Sequence, residues 1–181
     1  TALAPKVRAN QVGTLYEAHD YATHGRLADH VIIMTYEWGY TYGPPMAVAP
    51  LNQVERVIQY AVTEIPSKKI LMGIPNYGYD WTLPYEQGRP AKSISNTNAI
   101  ALAAEKGVEI QFDPVAKAPY FYYKDESGAL HIVWFEDARS IKAKLDLVTK
   151  YNLGGVSFWT VMNYFPQMYA VLNSNFQVEK A

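Results

Sequence analysis

The chain runs to 181 residues, 49% hydrophobic and 18% charged, enough for one folded domain with a sizeable core and too apolar to be disordered. Sixteen Lys and Arg against seventeen Asp and Glu leave a net charge of −1, which argues against a nucleic-acid partner, and the absence of cysteine excludes disulfides, thiolate catalysis and cysteine–zinc sites. No apolar run approaches the roughly 18 residues needed to span a bilayer, while fifteen Tyr and four Trp suit either a core or a sugar-binding cleft.

Taken in order, residues 2–7 form an apolar start that reads as a strand, and residues 15–28 carry a helical pattern. Residues 31–36 (VIIMTY) are a β-branched apolar run, the mark of a strand buried on both faces. Residues 51–65 place Val54, Val57, Ile58, Ala61 and Ile65 on one helical face. Residues 69–77 repeat the buried-strand pattern, as do residues 154–161. Residues 138–151 form another amphipathic helix, and residues 165–172 a short last one.

One stretch breaks this rhythm. After Trp81 come Pro84, Gly88 and Pro90, then a helix over residues 96–106, ended by Gly107. Residues 120–124 and 129–134 flank a polar turn ending in Gly128, which reads as a hairpin. The run Tyr120-Phe121-Tyr122-Tyr123 has the look of a sugar-binding stripe, but only alternate strand residues share a face, so half of it belongs to a core. Buried strands alternating with helices imply a parallel sheet. Four such units fit either a small doubly wound sheet, although no Gly-rich phosphate loop follows any strand, or half of an eight-unit barrel.

Three strand-end motifs discriminate. Met34-Thr35-Tyr36-Glu37, Gly73-Ile74-Pro75-Asn76-Tyr77-Gly78 and Gly154-Gly155 through Trp159 resemble the sixth, seventh and eighth strands of family-18 glycoside hydrolases. The details around Trp38, Pro44-Pro45 and Tyr77-Gly78-Tyr79-Asp80-Trp81 are similar to the spore-germination and sporulation-specific glycosylase subgroup. The resemblance implies an α/β fold: the C-terminal half of a (β/α)₈ TIM barrel with a small α+β insertion after the seventh strand. Residues 1–81 would then hold strands five to seven, 82–134 the insertion, and 135–181 the last helices and eighth strand. The family's Asp-x-x-Asp-x-Asp-x-Glu strand has no counterpart in these residues.

The resemblance also implies an activity: cleavage of N-acetylglucosamine-containing cell-wall glycan, spore-cortex peptidoglycan or a chitin-like chain, with the substrate's own 2-acetamido group as nucleophile. The general acid would lie in a missing upstream segment, leaving this chain inactive alone. Tyr36 would hold the acetamido oxygen, and Trp159 would floor the sugar. Glu37 stands where the family has Asp, one methylene longer. Tyr77, Tyr79, Asp80 and Trp81 would line the cleft, with Trp38, Tyr40 and Asn76 at outer positions. No cofactor or metal is implied. The partners would be the polysaccharide and the missing N-terminal half-barrel, with self-association of the fragment through its open strand edges as another route, and Ile33 and Met72 facing the barrel interior. The location implied is the cell wall or spore envelope of a spore-forming bacterium. A catalytically silent glycan-binding member of the same fold, or an independent four-unit α/β domain, are the rival readings.

Overall fold

In the computed structural model, which describes residues 1–178, two sheets share the chain. The last three residues of the expected 135–181 segment lie outside that range. The parallel sheet comprises β1 (Ala2–Leu3), β2 (Val31–Ile33), β3 (Ile70–Pro75) and β9 (Gly155–Trp159), in the order β1-β2-β3-β9. Strand order follows chain order without reversal, so this is a singly wound sheet and not a doubly wound one. It is open, with β1 and β9 as its edges.

Its helices pack as a series, α1 (Tyr21–Leu27) on α2 (Leu51–Glu64), α2 on α4 (Ala138–Lys150), and α4 on α5 (Pro166–Asn175). Val31, Ile33, Ile70, Met72 and Ile74 meet Val54, Val57 and Ile58 of α2 and Ile141 and Leu145 of α4 in one buried cluster. Ile33 and Met72 therefore face the helices, not the interior of a barrel. The half-buried Ile32 and Leu71 alternate with them on the opposite face. The expectation was off by one residue, and a period of two turns that into the wrong face.

Helix α1 is also shorter than the pattern over residues 15–28 suggests. Asp20 caps it, accepting from the Thr23 amide at 3.1 Å, which starts the helix at Tyr21. The residues before it form turns, with the Tyr16 amide donating to Gly13 O at 2.8 Å. Tyr21 then ties this region to the first strand, its hydroxyl donating to Ala4 O at 2.5 Å and accepting from the Lys6 amide at 2.9 Å.

Between β3 and α4 lies an antiparallel sheet of five strands: β4 (Gly78–Leu83), β5 (Lys92–Ile94), β6 (Gln111–Asp113), β7 (Ala118–Lys124) and β8 (Leu130–Trp134), ordered β5-β4-β8-β7-β6. Its first strand already begins at Gly78. A Cβ there would stand 2.2 Å from Trp134 O, so only glycine lets β8 approach so closely. Helix α3 (Asn96–Glu105) covers one face, packing Ala99 and Ala103 against Phe121, Tyr123, Val133 and Phe135. The tyrosine-rich run is thereby divided, as alternation requires, with Phe121 and Tyr123 inside and Tyr120 and Tyr122 on the other face. Where the two sheets join, Glu136 and Lys144 are fully buried and paired at 2.8 and 3.0 Å, and the Glu136 amide donates to Asn96. Burial pushes the Glu136 carboxyl up, and the Lys144 ammonium pulls the other way. The Leu83–Pro84 and Trp159–Thr160 peptides are cis.

Candidate active site

The end of β2 sets the site. The expected strand through Tyr36 leaves the ladder after Ile33, because the Thr35 amide donates to Ile33 O and the Tyr36 amide to Met34 O, each at 2.9 Å. The Thr35 hydroxyl fastens the turn to Gly73 O at 2.7 Å. The Tyr36 ring then lies over Gly73, where a Cβ would come within 2.8 Å of the ring and 2.6 Å of Ile33 O. Glycine at that position is what lets the phenol cross the strand end.

Tyr36 lines a cleft of about 330 Å³ together with Glu37, Tyr77, Tyr79 and Trp159. Ser93, Thr160 and Asn163 complete its walls. Burial, then the Glu37 charge, raise the Tyr36 hydroxyl's pKa above the ordinary phenol value, so it stays a hydrogen-bond donor throughout the physiological range. Glu37 adopts a left-handed backbone with φ of 70°, uncommon outside glycine. Its exposed carboxylate is held from behind: the Tyr77 hydroxyl donates to Oε1, and the Tyr79 hydroxyl donates to the same oxygen at 3.0 Å. Tyr77 and Tyr79 are raised chiefly by burial and further by the carboxylate they serve. Their rings pack edge to face with centroids 5.7 Å apart. Trp159, at the end of β9, is 61% exposed, leaving an indole face free at the cleft.

Other predicted residues lie elsewhere. Asn76, 2% exposed, is a clip. Its amide donates to Trp159 O at 2.7 Å, and its side chain donates to Asn163 O and accepts from Asn96 Nδ2 at 3.2 Å. It positions the Trp159–Asn163 segment without lining the cleft. Trp38 packs against the helix-side core, and Tyr40 is exposed on the following loop. Trp81 is 2% exposed, its indole N–H donating to Gly43 O at 2.9 Å.

Asp80 points away from Tyr79 and Trp81, as strand alternation demands, and borders a second cavity of about 450 Å³ beside α3. There it accepts from the Tyr123 hydroxyl at 2.6 Å and meets His131 Nδ1 at 2.8 Å. The wall expected from Asp80 and Trp81 is therefore split between a second cavity and a loop anchor, and Trp38, expected at an outer position, packs against a core. Sequence reasoning missed Ser93, Thr160 and Asn163. Thr160 and Asn163 follow Trp159 closely enough to have been flagged as strand-end loop residues. Ser93 reaches the cleft only by pairing with Tyr79 across the sheet.

The cleft thus offers a phenol donor, a pre-held carboxylate acceptor and a flat apolar ring, the combination that suits a sugar with polar edges and apolar faces. Among the described residues Glu37 is its one carboxylate, and none form a cluster of three or more His, Cys, Asp or Glu able to hold a metal.

The family model for glycosyl hydrolases family 18 matches residues 1–163. The chain is 52% identical to the cortical fragment-lytic enzyme of Bacillus subtilis, over 99% of this chain and 42% of that protein. The crystal structure of the Bacillus cereus spore cortex-lytic enzyme SleL superposes with a TM-score of 0.96 at 48% identity, covering 99% of this chain and 42% of that one. A chitinase from Chromobacterium violaceum superposes at 0.87 with 29% identity, covering 95% and 53%. The chain thus spans less than half the length of the spore enzymes it matches. With its parallel sheet, its inserted α+β layer and its aromatic cleft at the strand ends, the chain belongs to family 18 of the glycosyl hydrolases.

Proposed function

We propose that this chain is the part of a retaining glycosidase that receives the N-acetylhexosamine unit at the scissile bond of a cell-wall glycan. The single observation that carries the reading is the cleft built by Tyr36 and Glu37, Tyr77, and Trp159 at the ends of the three neighbouring strands β2, β3 and β9. Tyr36 donates to the acetamido oxygen and holds it behind the anomeric carbon. A proton delivered to the glycosidic oxygen releases the leaving sugar as the acetamido oxygen bonds to the anomeric carbon. The resulting oxazolinium ion is opened by water, which adds hydroxide to that carbon and returns its proton to the acid, with net retention. Trp159 supports the ring's apolar face, and the exposed Glu37 carboxylate accepts from a sugar donor.

Glu37 is a poor candidate for the acid, because its carboxylate is already engaged as an acceptor by the Tyr77 and Tyr79 hydroxyls. We place the acid outside these residues, on a preceding segment that also completes the sheet beyond β1 and β9. On this reading the chain is inactive alone, and residues 82–134 lie in an insertion between the seventh strand and its helix. The cortex-lytic activity named for the relatives supports spore-cortex peptidoglycan as the glycan and the spore envelope as the location.

The test is a pair of substrates for the full-length enzyme, an aryl chitobioside and its analogue lacking the 2-acetamido group at the cleaved unit. The reading expects cleavage of the first with retained configuration and loss of most activity on the second. Comparable turnover of both would overturn the substrate-assisted step.

A further inference from the structure

A chain of buried amides runs from the inserted layer to the loop that carries Trp159. Ser95 caps α3, its hydroxyl accepting from the Asn98 amide at 3.2 Å, and the first residue of the helix, Asn96, is 1% exposed. The polarity of the chain is fixed step by step. The Glu136 backbone N–H can only donate, and at 2.9 Å it takes Asn96 Oδ1. That leaves Asn96 Nδ2 to donate to Asn76 Oδ1 at 3.2 Å, so the Asn76 side chain turns its nitrogen toward the loop after β9. There it donates to Asn163 O and, at 3.4 Å, to Thr160 O, two carbonyls that can only accept. Reversing either amide would set oxygen against oxygen and nitrogen against nitrogen.

The place where this chain ends is the point that needs it. The ladder between β3 and β9 stops with Trp159 opposite Pro75, which has no N–H to give. Asn76 takes over, its backbone N–H donating to Trp159 O at 2.7 Å and its carbonyl accepting from Asn163 Nδ2 at 3.1 Å. Thr97, next along α3, fastens the same loop from the surface, its hydroxyl donating to Tyr164 O at 3.0 Å. An indole 61% in solvent has little packing of its own, so its place follows the backbone that carries it. Neither Asn96 nor Thr97 lines the cleft.

We propose that Asn96 is a positioning residue for glycan cleavage: acting through Asn76, it sets the place of the Trp159 indole, so the inserted layer decides where the cleaved sugar rests. The proposal rests on the glycosidase reading of the cleft.

The test measures kcat/KM of the full-length enzyme on N-acetylglucosamine oligomers, in the parent and in a Trp159→Ala background. Asn96→Ala lowers it roughly 5- to 50-fold in the parent, but by less than about twofold in the Trp159→Ala background, because its effect passes through the indole. Thr97→Ala, at an exposed position with little bearing on folding, gives a smaller loss with the same cancellation, and it decides the matter if Asn96→Ala does not fold. A second readout needs no turnover. The part of the tryptophan emission that Trp159→Phe removes shifts in Asn96→Ala and, to a lesser extent, in Thr97→Ala. Folded variants with unchanged kcat/KM, folded variants with unchanged Trp159 emission, or losses as large without the indole as with it, overturn the positioning role. A parent enzyme that cleaves no N-acetylglucosamine oligomer overturns the glycosidase reading and this role with it, whereas cleavage with losses independent of Trp159 overturns the positioning role alone.

Discussion

Glu37 and Asp80 are both carboxylates held by tyrosine hydroxyls, one on each sheet, and they put the same bond to different uses. Glu37 sits past the end of a parallel strand, exposed and lining the cleft, with two phenols on Oε1 and the Tyr79 hydroxyl also 3.3 Å from Oε2. Asp80 sits within the antiparallel sheet, 8% exposed, with Tyr123 on one oxygen and His131 on the other. A buried carboxylate with both oxygens taken fixes structure, and an exposed one at a cleft can still meet a ligand. Identical chemistry therefore separates into scaffold and site according to what each carboxylate has left to offer.

The largest effect should come from the joint between the two regions. Lys144→Met leaves Glu136 buried without its counter-charge and should destabilise the full-length enzyme by about 3–5 kcal/mol in urea denaturation. Adding Glu136→Leu should recover much of that loss, since the buried charge goes with it. If Lys144→Met costs nothing, the joint is not what couples the sheets.

Tyr123→Phe takes one partner from Asp80 and should cost about 1–3 kcal/mol of stability, with affinity for N-acetylglucosamine oligomers unaltered. Calorimetry of folding and of binding on the same protein reads both. A loss of affinity without a loss of stability would move Asp80 from scaffold to site. Trp159→Ala should do the reverse. With the indole mostly in solvent, stability should shift by no more than about 0.5 kcal/mol, while oligomer affinity falls roughly three- to tenfold. From sequence alone, a core tryptophan there would have predicted a cavity costing about 3–5 kcal/mol. The exposed indole removes that cost.

Much of this division was legible beforehand. The β-branched runs at 31–33 and 70–74 could only be buried strands, and the residues just past their ends, Tyr36, Glu37 and Tyr77, are the ones that meet in the cleft. Strand alternation alone would have turned Asp80 away from its neighbours Tyr79 and Trp81, had the strand been recognised as starting at Gly78. Two things lay beyond sequence reasoning. Ser93 enters the cleft through a cross-strand register fixed by the whole small sheet, which no local pattern encodes. The tight turns that swing Tyr36 over Gly73 depend on a tertiary bond, Thr35 to Gly73 O, so the strand was read as running straight through them.

The most direct test of the account is the turnover number of Tyr36→Phe in the full-length enzyme on N-acetylglucosamine oligomers, with folding verified by an unchanged denaturation midpoint. Losing one preorganised donor to the acetamido oxygen should lower kcat by roughly 10- to 1,000-fold. A folded variant that turns over at close to the parent rate would contradict the assignment of the cleft, and with it the distinction between the two carboxylates.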